Sequence, residues 1–205
     1  HIFAPLNMNS TAYQLTEGMR ARLVSAHEKN RFGDLESVSV GNYNAIWYGN
    51  YGATQCFGGG GNSGLYGSPA DYLRLCQMLN NGGTYKGYQI LKPETIREMR
   101  QNQIGDVVME WDAPVADPYP NCSPDFFPGM KTKWGLGFMV NPELSAEGRK
   151  PWSMAWWGIY NDYFFVDPDS DLCGLLWTCT IPCGDRASLD RFRQFEMMIR
   201  NEYGK

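Results

Sequence analysis

The sequence predicts an α+β fold in which an antiparallel sheet is flanked by helices. Three observations carry that expectation. Helical periodicity occupies the middle of the chain, aromatic and β-branched runs crowd residues 134–180, and one long amphipathic stripe closes it. The runs Tyr163–Val166 and Leu172–Thr180 are separated only by Asp167-Pro168-Asp169-Ser170-Asp171, which is too short for a crossover, so the two strands pair antiparallel.

Taken in order, residues 1–67 read as a loop-rich cleft region, with Thr16–Asn30 as its one helical window and Gly52–Gly67 as loop and tight backbone passage. Residues 68–104 are the helical part. Ser68 caps, Pro69 takes the first helical position and Asp71 the third, where the macrodipole favours an acid. The helix is expected to run to Asn80 with Tyr72, Leu75, Cys76 and Leu79 inward, and Gly82-Gly83 closes it. A second helix starts at Pro93-Glu94 and faces Ile96 and Met99 inward. Residues 105–133 carry five prolines and read as a surface excursion, with Lys131-Thr132-Lys133 solvated. Residues 134–205 supply the strands Trp134–Val140, Pro151–Ile159, Tyr163–Val166 and Leu172–Thr180. The terminal helix Ser188–Tyr203 then lays Leu189, Phe192, Phe195, Ile199 and Tyr203 on the sheet.

At 205 residues and 43% hydrophobic, the chain has material for one domain or most of one. With 18 basic against 22 acidic side chains it has no cationic footprint, so neither nucleic acid nor an anionic membrane surface is an expected partner. No apolar run approaches bilayer length. The six cysteines lack C-x-x-C spacing, so no metal site is expected, and no cofactor is implied. Their even number, with sequons at Asn9 and Asn121, points to a secreted or lumenal glycoprotein containing disulfides. The pairing is open, and buried cysteines packing as small apolar residues are the alternative. The start at His1 reads as processed or truncated.

Catalytic constellations are mostly missing. His1 and His27 are the only histidines, one terminal and one in the polar helical window; no G-x-S-x-G occurs, and no Ser has a Lys three positions on. The chain therefore holds no complete nucleophile.

Four stretches nevertheless resemble, in order, the C-terminal two-thirds or so of the serine β-lactamase-like family, which includes class C β-lactamases, penicillin-binding proteins, D-aminopeptidases and β-lactamase-type esterases. His1 to Thr11 is similar to "IFxPLGMxxT", with Asn7 where Gly is usual. Gly58 to Gly61 and Gly64 to Arg74 are similar to "GGGL-ST-xDyxRF". Lys86 to Thr95 and Trp134 to Phe138 are similar to "G-x-x-L-S-P-E-T" and "yGLGf". Trp156-Trp157-Gly158, leading into Tyr163 to Pro168, occupies the place of the third active-site motif.

The resemblance implies a β-lactamase-like fold that is incomplete without an N-terminal partner segment, which would carry the S-x-x-K nucleophile and the tyrosine motif. It further implies the C-terminal portion or processed subunit of a serine hydrolase or acyltransferase acting on a small ester or amide. In the family the third motif lies on an edge strand beside the nucleophile. Gly158 and the backbone N–H of Ile159 would then complete the oxyanion hole, where a pre-aimed amide is worth roughly 3 kcal/mol. Trp156, Trp157 and Tyr160 would line the cleft, the two tryptophans facing opposite sides of their strand. Tyr48 matches Y-x-N by letters but follows the "IFxPLGM" segment rather than preceding it, so it reads as a cleft residue. Two departures stand out: Trp157 where the family is small, and Asn161 where it has Gly. They keep open a second reading, a catalytically inactive secreted binding or structural protein.

Overall fold

The computed structural model describes residues 1–30, 32–38, 65–109, 130–158, 160–181 and 184–204. Along the chain come α1 (Glu17–Arg20), β1 (Ala26–Lys29), β2 (Leu35–Val38), α2 (Pro69–Asn80), β3 (Thr84–Tyr85), β4 (Tyr88–Gln89) and α3 (Pro93–Met99). Then follow β5 (Lys133–Trp134), β6 (Met139–Val140), β7 (Met154–Gly158), β8 (Asp162–Asp167), β9 (Leu172–Trp177), β10 (Thr180–Ile181) and α4 (Arg186–Tyr203). Strands β5-β6-β7-β8-β9 form one antiparallel sheet in that order. A second sheet, β10-β1-β2, pairs β1 parallel with β10 and antiparallel with β2.

The period-2 rule divides the large sheet into two buried faces. Met154, Phe164 and Val166 pack with Cys76, Leu79 and Ile96 on the α2–α3 side, whereas Ala155, Tyr163 and Phe165 pack with Leu189 and Phe192 of α4. Each Leu, Ile, Val, Phe or Met side chain among them contributes about 1.5–3 kcal/mol when withdrawn from water. Helices therefore cover both faces, as an α+β arrangement requires.

Local chemistry explains α2 and α4. The Ser68 and Asp185 side chains accept the Asp71 and Ser188 amides at the two N-caps. Gly82 and Gly83, at φ 63 and 93, close α2. The Asp71 carboxylate reaches back across the chain, taking Ser10 N–H at 2.7 Å and Thr11 Oγ1 at 2.9 Å, while Arg74 pairs with it at 2.8 Å and donates to the Asn7 carbonyl. The opening segment is thus clasped to the first turn of α2. Asn7 sits at φ 54, the left-handed region that glycine would occupy.

Several expectations are corrected. Thr16–Asn30 is not a helix: only Glu17–Arg20 is helical, and 26–29 is a strand whose backbone is satisfied by β2 and β10. Tertiary pairing overrides a weak helical pattern there, and His27 lies on that strand. Lys131-Thr132-Lys133 is not plain solvated surface, since Thr132 is buried and Lys133 Nζ donates to the carbonyls of Gly105 and Val107, both at 2.9 Å. Trp134–Val140 is two short strands around a turn, because Gly137 takes φ 84 and a Cβ on Gly135 would stand 2.0 Å from the Met99 carbonyl oxygen. The last sheet strand ends at Trp177, and Cys179, at φ 53, sends the chain into the second sheet. Tyr203 is exposed rather than inward.

No disulfide joins the described cysteines: Cys76, Cys173 and Cys179 are free thiols. Cys76 packs as a small apolar residue in the core, and burial pushes its thiol up, as it does Cys173 to about 11. Cys56, Cys122 and Cys183 lie outside the described residues.

Candidate functional site

The third-motif residues form the C-terminal half of β7. This strand is not an edge: β6 pairs on one side at Val140↔Met154 and Met139↔Ala155, and β8 on the other from Met154↔Val166 to Gly158↔Asp162. The β6 register stops at Ala155, so Trp156, Trp157 and Gly158 extend beyond it. The two tryptophans do not part to opposite faces. Their rings lie 3.8 Å apart at 33°, and Trp134 meets Trp156 edge-on at 4.5 Å. Both indoles are half-buried: Trp157 packs against the α4-side core, and Trp156 reaches that core as well as the α2–α3 one.

Beyond Gly158 the chain reverses into β8, with Asn161 N–H donating to the Gly158 carbonyl at 3.1 Å. Asn161 is fully buried at φ 56. Asparagine is the residue after glycine that tolerates this region, so Asn161 is compatible with a backbone shape that a glycine could also take. Its Oδ1 accepts from Tyr163 Oη at 2.6 Å, Gly184 N–H at 2.9 Å and Asp185 N–H at 3.1 Å. Its Nδ2 donates to the Thr180 carbonyl at 2.7 Å. The Tyr160 carbonyl accepts from Thr180 N–H at 3.0 Å and Thr178 Oγ1 at 3.1 Å. From the second sheet, Lys29 Nζ pairs with Asp185 at 2.6 Å. Burial raises the Asp185 carboxyl, but Lys29 and Ser188 outweigh it and leave the pKa lowered.

Asp162, opposite Gly158, is the titratable group of this corner. Burial pushes its carboxyl up to about 6, against the lowering pull of the Cys179 and Thr178 amides. A Cβ on Gly158 would lie 3.5 Å from Asp162 Oδ2, so the carboxyl stands directly beside the motif glycine. Such a group can hold or release a proton near neutral pH. Sequence reasoning passed over Asp162 and treated Asn161 only as a departure. The available signal was the Asn-Asp pair between two aromatic runs, a chain-reversal signature.

The structure therefore brings together Trp156, Trp157, Gly158 and Tyr160 at one corner of the large sheet. Ile159, Tyr48 and Asn121 lie outside the described residues. Asn9 is exposed, with its Nδ2 on Asn7 Oδ1 at 2.7 Å. Among the described residues no group of three or more His, Cys, Asp or Glu side chains is placed to hold a metal ion, and no helix is long and apolar enough to cross a membrane.

A family model described as Beta-lactamase matches residues 1–193. The chain is similar to simvastatin synthase (LovD, a mutant form) from Aspergillus terreus, at TM-score 0.76 and 26% identity, covering 98% of this chain and 48% of that one. It is similar in fold to EstCE1, described as a hydrolase with promiscuous acyltransferase activity, at TM-score 0.62 and 20% identity over 94% of this chain and 48% of that one. Protein Rv1367c of Mycobacterium tuberculosis is 28% identical over 120 residues, 57% of this chain and 27% of that protein. The chain thus spans about half the length of the two solved relatives.

Proposed function

The chain belongs to the beta-lactamase family, and from that premise we propose that it is the C-terminal portion or processed subunit of a serine hydrolase or acyltransferase acting on an ester or amide. The match of 98% of the chain to 48% of simvastatin synthase carries this reading. The remaining half, the N-terminal partner segment, supplies Ser, Lys and Tyr. A groove of about 340 Å³ along β9, lined by Pro69, Leu73, Leu175, Phe195 and Ile199, is the apolar surface on which we seat that segment. The length difference from the relatives argues for this occupant.

In this reading the described chain contributes walls and an amide rather than a nucleophile. Gly158 and the N–H of Ile159 stabilise the developing oxyanion, and Trp156, Trp157, Tyr160 and Tyr48 bound the acyl pocket. Secretion or passage through a lumen, with glycans on Asn9 and Asn121, belongs to the same proposal. Trp157, stacked on Trp156 where the resemblance expects a small residue, favours the second reading, an inactive binding protein.

A fluorophosphonate probe applied to the complete protein separates the two. The expected label falls on a serine of the N-terminal segment, with ester turnover lost in proportion. Label on Ser63 or Ser68 refutes the mechanism, and absence of both label and turnover establishes the inactive relative.

A further inference from the structure

The β7–β8 reversal has a requirement that glycine alone would meet, a left-handed residue at position 161. The chain uses asparagine there, which keeps φ at 56 and adds a side chain that is 0% exposed. That side chain ties the reversal to its own strand and to two stretches about twenty residues further along the chain. It receives the hydroxyl of Tyr163 on β8 and the Gly184 and Asp185 amides ahead of α4, and it donates to the Thr180 carbonyl on β10. Asp185 is in turn the N-cap of α4 and the partner of Lys29 on β1. A glycine would make none of these side-chain bonds, and a buried amide loses its value unless all of them form together.

We propose that Asn161 is a positioning residue for the reaction proposed above: it locks the β7–β8 reversal to the second sheet and to the start of α4, and so fixes Gly158 at the end of β7, beside which that reaction is placed. The inference rests on that functional reading. A site held by packed, fully hydrogen-bonded elements keeps its geometry, and a misplacement of about 1 Å costs on the order of a hundredfold in rate.

The test uses the complete protein with Asn161→Gly and Asn161→Asp. Asn161→Gly retains the unstrained left-handed backbone and deletes these side-chain bonds. Amide exchange around residues 158–162 and 184–185 is expected to accelerate by about tenfold or more while the rest of the sheet keeps its protection. Ester kcat falls by about a hundredfold with KM within about twofold. Asn161→Asp keeps the acceptor for Tyr163, Gly184 and Asp185 but loses the donation to the Thr180 carbonyl, so it is expected to recover part of the slow exchange at Gly184 and Asp185 and part of kcat. Unchanged exchange in Asn161→Gly overturns the proposal. Faster exchange throughout the sheet, with kcat and KM degraded together, also overturns it by showing a merely structural role. A parent protein without turnover refutes the functional reading instead, and the local exchange then decides the locking role on its own.

Discussion

Strand β8 begins and ends with an aspartate, and the two ends behave oppositely. At Asp167 the carboxylate is fully buried, and burial alone would raise its pKa. The Lys150 amide at 3.0 Å, Ser170 and the Arg200 guanidinium at 2.7 Å outweigh that and hold it below the usual range. At Asp162 burial wins, because backbone amides are the groups that counter it, and the carboxyl rises to about 6. The Asp167 end continues into a buried ionic lattice. Arg149 donates two bonds to Glu196, Arg200 reaches Glu196 as well as Asp167, and both guanidinium groups sit about 5 Å over the Phe165 ring, at 5.2 and 5.1 Å. The Asp162 end is a network of backbone and side-chain amides and hydroxyls around Asn161, and the ion pair there, Lys29–Asp185, does not include Asp162. One strand thus joins a corner whose charges are matched for stability to a corner where charge is left costly. Costly charge is what a reactive site tolerates.

The largest break in that contrast is expected from Glu196→Ala. Glu196 is 1% exposed and serves both Arg149 and Arg200, so its loss takes two charge-assisted bonds from the buried Arg149 guanidinium and removes one of the two carboxylates that Arg200 pairs with. Chemical denaturation of the complete protein should show about 3–5 kcal/mol of destabilisation. A loss of the size typical of exposed ion pairs would mean that this end is not a lock.

Next in size is Trp157→Gly at the opposite end. The indole is half-buried against Trp156 and the α4-side core, so its removal is expected to cost about 3 kcal/mol, the low end of the range for fully buried aromatics. Thermal melting and ester turnover on the same variant then separate a packing role from a pocket role. Turnover that broadens toward bulkier acyl groups places the indole at the pocket wall, and unchanged turnover places it in the core.

Asp162→Asn acts in the other direction. An acid whose folded pKa lies above its unfolded value binds its proton more tightly when native. Its contribution to stability is therefore fully present below about pH 4 and is lost as pH rises through about 6. The neutral amide should thus stabilise by about 2 kcal/mol at pH 8, after discounting for partial exposure, and by almost nothing at pH 4. Urea midpoints at the two pH values check this. Equal effects at both would place the carboxyl in ordinary solvent.

The sequence made the two ends unequally legible. Asp167 was readable as a turn former before Pro168, and α2, α4 and the antiparallel β8–β9 pair followed from caps and periodicity. The ionic lattice was hidden because Arg149 and Glu196 stand 47 positions apart with no local pattern linking them. Strand β7 was legible, but its neighbours were not. The β1–β10 parallel pairing, the placement of β7 beside β6 and the leaning of Trp157 onto Trp156 depend on tertiary contacts to which spacing along the chain is blind. Asn7 and Asn161, which depart by letter from the glycines of the resemblance, both take left-handed backbone angles that glycine adopts freely, φ 54 and φ 56.

The smallest expected effect is the sharpest for the site, and it concerns Gly158. Among the described residues it is not one of the glycines with positive φ, so its backbone does not demand glycine. A Cβ built there would meet Asp162 Cβ and Oδ2 at 3.5 Å, an ordinary van der Waals contact. Gly158→Ala should therefore change stability by no more than about 0.5 kcal/mol, and the alanine's lower chain entropy in the unfolded state offsets part of any crowding. The fold gives no reason for glycine at this position, so any reason must come from what approaches it. If substrate lies against β7 as the oxyanion reading requires, the added methyl stands in its path, and kcat/KM should fall about tenfold or more while the melting curve stays in place. A variant with both stability and turnover unchanged would show that nothing reacts beside Gly158, and the site would have to be sought away from this corner.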